Sequence, residues 1–183
     1  FEAEEARRAV DASPFFLLAL LDRALLRRDG PRYRMHPLVA ERFAQGLDDA
    51  AGARGRLADA YAALASRLEG MDGDARSDVG YRRVDAEIDN LRLAWTASLR
   101  PPRPDRLWPL AKLLRGYLDV RGRYRDGLAM FRTAEAALTE PESGAGDDAE
   151  NDVELRAWLR ESVGLFLTHR GEHEAGARAA ADA

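Results

Sequence analysis

The chain has 183 residues, 28 basic against 32 acidic side chains and a formal charge of −4, enough length to bury a real core as one large domain or two small ones. It has no cysteine, which excludes disulfides, thiol catalysis and cysteine metal sites and makes a reducing, cytoplasmic setting the expectation. The longest apolar run, Phe15 to Leu21, falls far short of the roughly 18–20 residues of a membrane span, so no membrane association is expected.

Phe1 to Ala12 reads as a helix. Ser13-Pro14 offers an N-cap followed by proline at the first helical position, and a second helix is expected from Phe15 to about Arg23. That helix is apolar almost all round, so it is expected to be buried. Ala24 to Arg28 and Arg32 to Met35 read as the strands of a small hairpin around the turn signal Asp29-Gly30-Pro31. Pro37 restarts a helix, with Leu38, Val39, Phe43 and Leu47 expected to face inward. From Gln45 to Arg56 the composition shifts to Ala, Gly and Asp, a junction between two parts.

Arg56 to Leu68 is an amphipathic helix with Leu57, Tyr61, Leu64 and Leu68 on one face, and Glu69 to Gly80 is a glycine and aspartate loop. Val84 to Leu99 places Ile88, Leu91 and Trp95 on one stripe before Pro101-Pro102-Arg103-Pro104 ends the helix. Leu107, Leu110, Leu113, Leu114, Tyr117 and Leu118 then share a helical face up to Gly122, and Tyr124, Leu128, Phe131, Ala134 and Leu138 continue on a second helix. Thr139 to Asp152 is acidic with no positive charge, and a mobile loop is expected there. Leu159, Val163, Leu167 and Gly171 repeat the order Leu110, Leu114, Leu118 and Gly122. Gly122 to Phe131 aligns with Gly171 to Ala180.

Two resemblances follow from these stretches. The paired helices, with a turn glycine, Tyr124 or His173 two residues later and Gly127 or Gly176 as the small residue of the second helix, resemble the tetratricopeptide repeat. The spacing between copies exceeds the roughly 34 residues of that family. Leu20 to Leu47 resembles the winged-helix segment of STAND-class signal-transduction ATPases, the NB-ARC type included: Met35-His36 matches their Met-His-Asp motif, with Pro37 in place of the acid. Ala86 to Leu99 resembles the helix that precedes the repeats in bacterial STAND regulators. This resemblance implies that His36 senses the phosphates of bound ADP, and that ADP or ATP is held by an upstream nucleotide-binding domain of the same polypeptide. A first residue other than Met and a last residue inside a helical pattern are what a piece of a longer protein would show.

The chain carries no catalytic constellation in its sequence. A Walker A loop needs Gly-Lys-Ser/Thr, and the only lysine, Lys112, follows Ala111. His169 and His173 are separated by the helix-breaking Gly171, so they are not expected to act as paired zinc ligands, and His173 is expected to pack. His36 has a plain reading too, as a cap or packing residue beside the hairpin. Trp95, Trp108 and Trp158 are expected in the core. The expected architecture is mainly α: a partial winged-helix domain with a small β-hairpin over 1–48, linker helices over 52–100, and tetratricopeptide-like helical repeats over 105–183. The expected role is non-catalytic, with no metal and no cofactor in this chain: a segment coupling a nucleotide switch to a protein partner or inducer bound on the helical arm, through Tyr117, Arg121, Tyr124 and Arg125 as exposed candidates. A stand-alone tetratricopeptide adaptor is the alternative. DNA binding ranks below the adaptor, because the candidate reading helix, Phe15 to Leu21, offers no polar or basic groups, and an enzyme ranks last.

Overall fold

The computed structural model describes residues 1–11, 13–69, 78–139 and 147–181. The described residues form a mainly helical chain with a single two-stranded antiparallel sheet. The first part comprises α1 (Ala3–Val10), α2 (Pro14–Asp22), β1 (Leu26–Asp29), β2 (Arg32–Met35) and α3 (Pro37–Gln45). Ser13 caps α2 as its sequence predicts, its hydroxyl accepting from the Phe16 N–H at 3.2 Å. In the hairpin Leu26 faces Met35 and Asp29 faces Arg32. The chain start lies beside β2, with the Phe1 carbonyl accepting from the Tyr33 N–H at 2.8 Å and the two rings stacked 5.9 Å apart.

Two expectations for this part fail. Only Leu17 of α2 is buried, and Phe15 is 83% exposed, with Phe16 and Leu18 about half exposed. Helix α3 buries none of its residues: Leu38, Phe43 and the following Leu47 are exposed and Val39 is half-buried. The cause is topological. Among the described residues, α2 packs by one side only, on β1 and the small cluster around Ala6 and Leu26, and α3 makes no extensive contact with any element, so an apolar stripe exists with nothing laid over it.

The second part is α4 (Ala50–Glu69), α5 (Asp78–Ala97), α6 (Pro104–Val120), α7 (Tyr124–Thr139), α8 (Asp147–His169) and α9 (His173–Ala181). The loops expected at 70–77 and 140–146 lie outside the described residues. The end of the acidic run is helical instead of loop, since α8 begins at Asp147, consistent with acidic residues favouring the positive end of a helix. Each helix packs on its chain neighbour, and α4 lies on α6 and α6 on α8. The result is three successive helix pairs around one core that runs from Ala58 to Leu167. The boundary near 100–105 therefore falls inside that core. No described helix is long and apolar enough to cross a membrane.

The two later pairs turn in the same way. Gly122 and Gly171 adopt φ of +64° and +83°, the left-handed conformation that ends a helix when two backbone N–H groups fold back onto its last carbonyls. Gly122 and Arg123 donate to Asp119 and Leu118, and Gly171 and Glu172 donate to Thr168 and Leu167. Small residues then let helices approach: a Cβ on Gly127 would meet the Phe166 ring at 2.6 Å, and one on Gly176 would meet the Gly164 carbonyl at 2.9 Å.

Candidate functional site

The turn between α6 and α7 sets the position of the four partner-binding candidates, and they separate into two groups. Tyr117 is on the last turn of α6, facing inward and 2% exposed, so it is core and not the open surface residue expected. Its hydroxyl donates to Asp85 Oδ1 on α5 at 2.7 Å. Burial raises the Tyr117 hydroxyl above its ordinary value, and the Asp85 carboxylate adds to the rise by favouring the protonated phenol. Arg121, at the helix end, is half-buried and donates to the other Asp85 oxygen at 2.5 Å, with its guanidinium 6.0 Å from the Tyr81 and Tyr117 rings. Both residues are thus spent in holding α6 to α5.

Tyr124 and Arg125 lie beyond the glycine turn, at the start of α7, where the C-terminus of α8 comes alongside. There they line an open cleft of about 320 Å³ with Gly122, Arg123, Asp126, His169 and Arg170. Tyr124 is half-buried and stacks on His169, ring centroids 4.8 Å and planes 9° apart, while His169 Nε2 lies 3.2 Å from Asp119 Oδ1. Asp126 is shared by Arg92 at 2.8 Å and Arg123 at 2.6 Å. Burial alone would raise the Asp126 carboxyl, but the two guanidiniums more than offset it and hold the group below its ordinary value. Arg170 pairs with Glu172. Arg125 is exposed and makes no ion pair among the described residues. With two guanidiniums on one carboxylate and a further unpaired arginine, the cleft carries surplus positive charge and suits an anionic group on a partner.

Sequence reasoning missed His169, Arg170, Arg123 and Asp126. Arg123 and Asp126 stand three apart at a helix start, a detectable pair, but nothing in the pattern places His169 on Tyr124, 45 positions away by count from the sequence. His173 is exposed instead of packed; the ring that fills the equivalent place in the first turn, Tyr124, packs because α8 supplies His169.

His36 caps α3. Its Nδ1 accepts from the Leu38 N–H at 3.3 Å and the residue is exposed. The cap leaves Nε2 as the ring nitrogen able to reach outward. Trp95 is 2% exposed, its ring 5.2 Å from Phe131, whereas Trp108 and Trp158 are half-buried, meet edge to face at 5.5 Å and carry Lys112 and Arg115 over their faces. Among the described residues, no group of three or more acidic or histidine side chains could hold a metal ion. Comparison with protein-family models, with curated proteins and with solved structures finds no match for this chain.

Proposed function

We propose that this chain is a non-catalytic regulatory segment, in which the helix pairs form a binding arm and the hairpin segment belongs to the winged-helix part of a STAND-type regulator whose nucleotide domain lies upstream in the same polypeptide. The observation that carries the arm is the repeated turn: Gly122 and Gly171 share one left-handed geometry, and Phe166 of the third pair lies over Gly127 of the second. Stacked pairs of this kind build an extended surface from short units. On that surface the turn-end cleft of Tyr124, Arg125, His169 and Arg170 would take a protein partner or inducer bearing an acidic group.

The switch rests on the Met35-His36 resemblance, and one observation favours a second reading. Nδ1 of His36 is already used in capping α3, so the residue has a structural role without nucleotide, as it would in a plain tetratricopeptide adaptor. Calorimetric titration of ADP into the parent polypeptide, wild type against His36→Ala, separates the two. Binding weakened by the substitution is the expected result for the switch. A parent protein that ignores ADP leaves the adaptor.

A further inference from the structure

The hairpin segment and the helix pairs have separate apolar cores. Ala6, Leu17 and Leu26 form the buried centre of the first, with Phe1, Leu20, Leu21, Tyr33 and Met35 packed round them, and the large core begins at Ala58. Helix α1 does lie along α4, but its buried residues are Glu5, Ala6 and Ala9, two small side chains and an acid. Among the described residues, what joins the two parts besides the packing of α1 on α4 is charge.

Glu87, on α5, is fully buried. It accepts from the Tyr61 hydroxyl of α4 at 2.7 Å and from Asn90 Nδ2 at 2.8 Å, and it is ion-paired with Arg32 of β2. The same guanidinium donates to the Ala86 carbonyl at 2.6 Å. Glu5 of α1, 2% exposed, is held by Arg67 of α4 at 3.3 Å and Arg83 of α5 at 3.1 Å. Arg83 also pairs with Glu2. Glu4, Arg7 and Arg8 pair among themselves on the outer side of α1.

We propose that this seam is a charge-latched joint, at which residues 1–35 come away from α4 and α5 as a unit while the three helix pairs stay folded. An apolar interface weakens in proportion to the area lost. A buried carboxylate differs, because losing one partner leaves it unpaired where water cannot reach, and the favourable response is for the whole seam to open and hydrate it. The small cluster around Leu17 and the paired strands can move with the segment, and the members of the large core, which run from Ala58 to Leu167, stay with the helix pairs. This joint goes beyond the nucleotide reading and stands whether or not that reading does.

Hydrogen–deuterium exchange on the full chain tests it, with Glu87→Gln compared to wild type at neutral pH. The expected result is exchange faster by roughly tenfold or more in α1 and the hairpin, with amides near Leu110, Phe131 and Leu159 unchanged. Equal acceleration in both regions means one cooperative unit and overturns the proposal, as does no acceleration in either. Should Glu87→Gln unfold the whole chain, Arg32→Gln decides, since Arg32 sits at the rim, 18% exposed. Acceleration confined to residues 1–35 then upholds the joint, and any other outcome overturns it.

Discussion

Glu5 and Glu87 are both buried acids with arginine partners, yet their surroundings drive them in opposite directions. For Glu5, burial dominates and raises the carboxyl above its ordinary value, with Arg67 offsetting only part and the Glu87 charge adding to the rise. For Glu87, burial also acts upward, but the Tyr61 and Asn90 hydrogen bonds and the nearby cations more than offset it, so the group sits below its ordinary value. The signs of their pH effects therefore differ. Glu87 contributes stability that is present above the ordinary carboxylate range and is lost as pH falls through its depressed value; Glu5 opposes folding once ionised, and that opposition is relieved as pH falls through its raised value. Urea unfolding of the chain at pH 7 should show Glu87→Gln less stable by about 2 kcal/mol, under the ~3–5 typical of a broken buried pair because Arg32 keeps some exposure. Glu5→Gln should change stability by less than about 1 kcal/mol. As pH falls below the ordinary carboxylate range, through the depressed value of Glu87, the wild type and Glu87→Gln should converge, and a gap that widened would contradict the assignment.

Three helices, α2, α6 and α8, end on one motif, and only two of them end with glycine. After α2 the left-handed place belongs to Ala24, φ +55°, with Ala24 donating to Leu21 and Leu25 to Leu20. A side chain in this conformation costs about 1 kcal/mol that glycine does not. Ala24→Gly should raise stability by about that amount and Gly122→Ala should lower it similarly, both read by urea unfolding; nothing lies within 4 Å of a Cβ at Gly122, so strain alone is at stake there. Gly127→Ala is a different test, because its Cβ would meet the Phe166 ring at 2.6 Å, and a loss of about 1–3 kcal/mol is expected from overpacking. The same contrast explains what the sequence disclosed. Gly122 and Gly171 announced their turns by residue type, and the leucine spacing of α6 named its buried face correctly from Leu107 to Leu118. Ala24 gave no such signal, so a helix end was read as the beginning of a strand. At Tyr117 the leucine face points inward and the hydroxyl outward, and only the presence of Asp85 on a helix 32 residues away decides that the hydroxyl can be buried. Half of the cleft was invisible for a related reason: His169 and Arg170 reach Tyr124 through the stacking of one pair on another, a distance no local pattern encodes.

Across the whole molecule, apolar side chains have two fates that hydropathy alone cannot separate. The ring chain Trp95, Phe131, Trp158 and Phe166 links α5, α7 and α8, with Phe131 in contact with the other three at 5.2, 6.2 and 5.4 Å between centroids. Phe131 is fully buried, so Phe131→Ala removes both transfer energy and contacts that no neighbour can replace, and a loss of about 3–5 kcal/mol is expected. Phe15 is as apolar and lies in a more apolar stretch, but at 83% exposure it has little folded-state contact to lose. Phe15→Ser should leave the stability of this chain within about 0.5 kcal/mol of wild type. Both variants can be read from one set of urea curves by the summed signal of Trp95, Trp108 and Trp158, all far in sequence from Phe15. A substantial loss from Phe15→Ser would mean that the outer face of α2 is covered in solution, by this chain or by another copy of it, and repeating the curves over a hundredfold range of protein concentration would tell the two apart, since only association makes unfolding concentration-dependent.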